Sequence, residues 1–102
     1  MTAEQVLVLD EAAEDLEQGV SFYEMQRPDL GVYFFDSLLA DIESLRLSAG
    51  VHPVYFGLYR MLSSHFPFAV YYEYDGTIAR VNAILDMRRS PAWSRNQLEQ
   101  RI

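Results

Sequence analysis

HFPFAVYYEYDGTIARVNAILDMRRSPAW, residues 65–93, carries the alternation from which a sheet can be built. Two β-rich runs flank Asp75-Gly76, a dipeptide suited to a two-residue hairpin turn because both central positions can take positive φ. Pairing Tyr74 with Thr77 across that turn sets a register of alternating faces. One face then carries Phe66, Phe68, Val70, Tyr72 and Tyr74 opposite Leu85, Ala83, Val81, Ala79 and Thr77, and reads as core. The other carries Pro67, Ala69, Tyr71 and Glu73 opposite Ile84, Asn82, Arg80 and Ile78. It mixes polar and apolar groups and is the candidate functional face.

Upstream, Gln5–Leu9 is a short apolar run long enough for a strand. Asp10 is a natural N-cap for a first helix over 11–26, along which Ala12, Leu16, Val20 and Tyr23 recur at helical spacing. Pro28 disfavours helical backbone at Arg27 and ends it. Asp29 can cap a second helix over 30–47. Its apolar stripe is Phe34, Leu38, Ile42 and Leu45, and its polar face holds Asp36, Asp41, Glu43 and Ser44. Gly50 can close it in the left-handed conformation. The break between the helices is short, so they should pack as an antiparallel αα-hairpin.

Val54–Leu62 reads as one strand, and a two-residue Ser63-Ser64 loop would set Arg60 beside Pro67. Pro91 can begin a short helix in the polar tail, 91–102, where Trp93 folds back over apolar surface. The order β-α-α-β-β-β predicts a single α+β domain over residues 1–102. Its two layers are a twisted, mainly antiparallel sheet and an αα-hairpin on one face, with the other face open unless the tail or a partner covers it.

Composition narrows the function. Half of the 102 residues are apolar, which argues against disorder. No apolar run approaches a membrane span, no signal peptide is visible, and the expected location is the cytoplasm. With no Cys, disulfides and thiolate metal sites are excluded. His52 and His65 have no metal-ligand spacing, and no nucleotide or hydrolase motif occurs, so neither a metal nor a cofactor is expected. The net charge of −7 argues against binding free nucleic acid. The charge is uneven: residues 1–50 hold eleven carboxylates and two Arg, residues 51–102 four carboxylates and six Arg.

Arg60, His65, Tyr71, Arg80, Asn82 and Asp86 fall on the open face. Two guanidiniums there could clamp a phosphate, with His65 or Tyr71 as acid or base. The same residues also describe a solvated sheet face whose Arg pair with Glu73 and Asp86. Exposed Phe56, Leu58, Ile78 and Ile84 would instead make it a protein-binding surface. Arg88-Arg89 are either plain surface or an anchor for an acidic partner or a nucleic-acid backbone.

The arrangement A-x-x-D-L-x-x-G-V-x-F-Y-E-x-Q-R-P-x-L-G, from Ala12 to Gly31, resembles the helical region of the RelE/ParE toxin superfamily, in its ParE-like, plasmid-stabilisation branch. So do His52-Pro53, Arg60, the run Phe66 to Tyr72, and the ending Ile84 to Pro91. The resemblance spans residues 5–93. It implies the toxin of a type II toxin–antitoxin module, neutralised by a cognate antitoxin. RelE-like members cut mRNA on the ribosome from the open sheet face; ParE-like members poison DNA gyrase and have no established catalytic residues.

Here His65 stands where many relatives carry Arg, Asp86 replaces a His, Met87 replaces a Gly, and the tail has Trp93 but no Tyr. Those departures and the acidic balance favour the ParE-like reading. Arg60, Tyr71, Arg80, Asn82, Arg88, Arg89 and Trp93 are then partner-binding candidates. Under the RNase alternative, the catalytic candidates are Arg60, His65, Tyr71 and Arg80. A non-toxic interaction module is the third reading. Uncovered apolar surface on the isolated chain is expected to be hidden by homodimerisation.

Overall fold

The computed structural model describes residues 1–101. Strand β1 (Gln5–Val8) leads into helix α1 (Asp10–Gln26), followed by α2 (Leu30–Glu43) and a single turn, α3 (Leu45–Ser48). Then come β2 (Val54–Tyr55), β3 (Leu58–Leu62), β4 (Phe68–Tyr74), β5 (Ile78–Asp86) and α4 (Pro91–Glu99). The five strands form one mixed sheet in the order β1-β5-β4-β3-β2, with β1 parallel to β5 and every other pairing antiparallel. The expected α+β order is present, with one strand more than expected.

That extra strand comes from splitting the run 54–62. Phe56 and Gly57 both have positive φ, 55° and 82°, which makes them a tight hairpin between β2 and β3. Apolar residues on both sides disguise the turn in the sequence, and Gly57 is its single marker. The next loop also differs, because Arg60 pairs with Tyr71 and Leu62 with Ala69, not Arg60 with Pro67. Residues 63–67 form a longer connection held by Asp41 of α2. The carboxylate accepts from Ser63 Oγ (2.8 Å), Ser64 N (3.0 Å) and Ser64 Oγ (2.7 Å). Asp41 is therefore buried and not part of a polar helix face.

The central hairpin is shifted as well. Tyr74 pairs with Ala79 and Tyr72 with Val81, so the loop is Gly76-Thr77, with positive φ at Gly76 alone. This matches a type II′ turn, which needs Gly at its first central position. Asp75 braces it by accepting the N–H groups of Thr77 (2.9 Å) and Ile78 (2.8 Å). Farther along, Tyr71 pairs with Ala83, leaving Asn82 as a bulge on β5. One extra residue reverses every side chain beyond it. Ile84 turns towards the helices, while Ala83 and Leu85 turn away, the opposite of the expected facing.

The helix-side core is largely aromatic. Phe34 lies 5.0 Å from the Tyr23, Phe66 and Phe68 rings, and Leu38, Val70, Tyr72 and Val81 fill in around them. Leu9 rather than Asp10 precedes α1 as its cap residue, and it makes no side-chain cap bond. Asp29 also makes none. Glu24 caps α2 from across the helix junction by accepting Asp29 N (3.1 Å) and Gly31 N (3.0 Å). Gly50 adopts the expected left-handed φ, +85°, and its N–H donates to Tyr72 Oη, which also bonds His52 Nδ1. Burial lowers the His52 pKa below its usual value.

The opposite face is not open. Helix α4 lies over it, and Leu98 joins Leu58, Ala69, Tyr71, Ala83 and Leu85 in a second, smaller core. The short helix expected from Pro91 is present, with Ser90 Oγ accepting Trp93 N (3.1 Å) as its cap. No helix among the described residues is long and apolar enough to cross a membrane.

Candidate partner-binding surface

The register places Arg60 opposite Tyr71 and Arg80 opposite Glu73, so both guanidiniums stand on the α4 side of the sheet. They do not form a clamp. The Arg60 guanidinium carbon stands over the Tyr55 ring, 3.7 Å from its centroid, with Nε buried and unpartnered. Arg80 donates to Asp75 at 3.2 Å. Asn82, in the bulge, donates to Glu73 at 3.0 Å. Tyr71 is 1% exposed beneath α4, its hydroxyl turned to Met87 Sδ. His65 sits in the 63–67 loop near the Tyr33 ring of α2, on the helix side, apart from these groups. Leu58 and Ile84, expected as exposed apolar surface, are buried.

The other candidates gather where β5 meets α4. Arg88 grips Asp86 through two hydrogen bonds, Nε at 3.0 Å and Nη2 at 2.8 Å, and these hold the Asp86 carboxyl below its ordinary pKa. Arg89 lies over the Trp93 ring at 4.3 Å and has no ion-pair partner among the described residues. Beside them a cleft of about 350 Å³ opens between α1, the end of β5 and α4. Phe22, Phe68, Ile84, Leu85 and Trp93 give it apolar walls, and Glu11, Glu14 and Asp86 add carboxylates.

One group of contacts here has no local sequence signal. β1 stops pairing at Val81, so the adjacent edge of β5 is left uncovered at the bulge. Asp15 of α1 accepts Ile84 N at 2.9 Å and receives both terminal nitrogens of Arg101. Arg101 also donates to Asn82 O at 3.3 Å. Its guanidinium pKa is raised, chiefly by the bonds to Asp15. Arg101, just beyond α4, thus fastens that helix and satisfies the exposed strand edge together.

No protein-family model matches the sequence, and no curated protein matches it. Among solved structures, a chain of a chromosomal ParDE toxin–antitoxin system from P. aeruginosa superposes with a TM-score of 0.71 at 16% identity. The match covers 81% of this chain and 94% of that one. The two share a fold. At that identity the likeness is one of fold alone.

Proposed function

We propose that this chain is the toxin of a type II toxin–antitoxin module, ParE-like in acting by protein contact in the cytoplasm and silenced by a cognate antitoxin. DNA gyrase is the target implied by the resemblance. The shared fold supports the class. What favours protein contact over RNA cleavage is the state of the two candidate clamp residues: Arg80 already binds the Asp75 carboxylate, and Arg60 is held over the Tyr55 ring. Phosphate would have to displace those partners, and Tyr71 is too buried to act on it.

Expression without the adjacent gene should arrest growth and induce the DNA-damage response, and the purified chain should inhibit gyrase supercoiling. Co-expression of the adjacent gene product should relieve the arrest. Arrest with normal supercoiling and blocked translation would overturn the gyrase assignment in favour of ribosome-dependent cleavage.

A further inference from the structure

Helix α1 carries more charge than the fold uses. Its segment Asp10–Gln26 contains six carboxylates and no Lys or Arg. Asp15 is committed to Arg101, Glu11 stands 3.5 Å from the same guanidinium, and Glu24 caps α2. Glu14 and Glu17 have no hydrogen-bond or ion-pair partner among the described residues. Four and seven residues on from Glu14, the same helix stripe presents Gln18 and Ser21, then Phe22 and Met25. Phe22 is 47% exposed and Met25 90%. An unbranched thioether left that bare beside an aromatic ring is characteristic of adaptable contact surfaces.

These side chains line two adjacent depressions. The cleft at the β5–α4 corner is flanked by a shallower one of about 480 Å³ along α1, and the two share Glu14, Gln18 and Phe22 as walls. Of the free carboxylates, Glu14 stands where the two meet and Glu17 lines the shallower one alone. In the corner cleft, Arg89 over Trp93 supplies the unpaired cation.

We infer that this groove seats a cationic, amphipathic segment of the antitoxin, with apolar side chains between Phe22 and Trp93 and Lys or Arg opposite Glu14 and Glu17. The inference rests on the toxin reading above and adds the chemistry of the contact. Arg89 repels a cation at the Trp93 end, so a neutral or acidic residue belongs there, and this polarity fixes the direction of the segment. Nucleic acid is disfavoured because its phosphates would face the carboxylates. A second copy docking the same surface about a two-fold axis would set the carboxylate end of each copy against the Arg89 end of the other, one guanidinium against two carboxylates, and leave one carboxylate unmatched on each.

The test uses the purified product of the adjacent open reading frame as probe, titrated by calorimetry onto the wild-type chain and three double variants. Glu14→Lys with Glu17→Lys should weaken binding roughly tenfold or more and flatten its salt dependence. Phe22→Ser with Met25→Ser should weaken it comparably while leaving the salt dependence intact. Glu4→Lys with Asp36→Lys makes the same charge change outside the groove and should alter affinity by less than about threefold.

Unchanged affinity in the first two variants overturns the groove and leaves the toxin reading standing. If the wild-type chain does not bind the product at all, both fall. A wild-type dimer that the Phe22 and Met25 changes convert to monomer would assign the groove to a second copy and overturn the antitoxin assignment.

Discussion

The two faces of the sheet bury similar kinds of side chain but are closed by different means. On one face, helices of 17 and 14 residues interlock with the strands through Phe34, Tyr23, Phe66 and Phe68. On the other, a nine-residue helix adds one fully buried apolar side chain, Leu98, and is fastened by the Arg101–Asp15 pair. Aromatic packing is distributed over many contacts and tolerates no single loss cheaply. A cover held by Leu98, the half-buried Trp93 and one ionic latch concentrates its attachment in a few residues. The first face is therefore the scaffold, and the second is a surface whose cover can be changed without rebuilding the domain.

The largest effect should come from the first face. Phe34→Ala removes a fully buried ring that touches three other aromatic side chains, and should destabilise the domain by about 3–5 kcal/mol in denaturant unfolding. Next comes the latch. Asp15→Ala leaves the Arg101 guanidinium, 11% exposed at the side chain, without its main partner and Ile84 N–H unpaired. The cost should be about 2–4 kcal/mol, below that of a fully buried pair because some solvent reaches it. Trp93 is the only Trp, so a red shift of its emission would report that α4 has loosened.

Leu98→Ala should cost about 2 kcal/mol, near the low end for such truncations, because a thin cover can settle into the space left behind. A loss equal to that of Phe34→Ala would erase the distinction between the faces. All three changes are read by the same unfolding measurement, so their order is the test.

Local pattern revealed most of the first face. The stripes of α1 and α2, the break at Pro28 and the turn at Gly50 follow from helical spacing and backbone preference, and all are present. The second face was less legible. Asn82 is a residue that strands disfavour, but nothing in its neighbours distinguishes a bulge from an exposed strand position; the bulge fits where β1 ends and Arg101 can reach the freed carbonyl. Asp15 and Arg101 lie 86 positions apart, beyond any periodicity.

Leu98 is an isolated apolar residue five positions beyond Trp93 in a polar tail, too weak a signal to show which surface it covers. The candidate residues divide in the same way. Arg88, Arg89 and Trp93 do stand together at the end of β5, whereas Glu14, Glu17, Phe22 and Met25 escaped notice because an acidic helix face reads first as solubility.

The smallest effect belongs to the hairpin tip, beyond the reach of either cover. Asp75 has its pKa lowered from 3.8 to about 2, first by the N–H groups of Ile78 and Thr77 and then by Arg80. A carboxylate depressed in the folded state stabilises the fold above its unfolded pKa, and that contribution is lost as pH falls through the folded value. Asp75→Asn keeps an oxygen for the two N–H groups but loses the charge that Arg80 and the turn amides favour. Thermal midpoints of wild type and variant should therefore differ slightly at neutral pH and converge between about pH 4 and pH 2. Asp86 titrates in the same direction in both proteins, so the difference between the curves isolates Asp75. Parallel curves through that window would mean that the amide oxygen alone sustains the turn, leaving the Arg80 contact at the bare end of the second face without a measurable role.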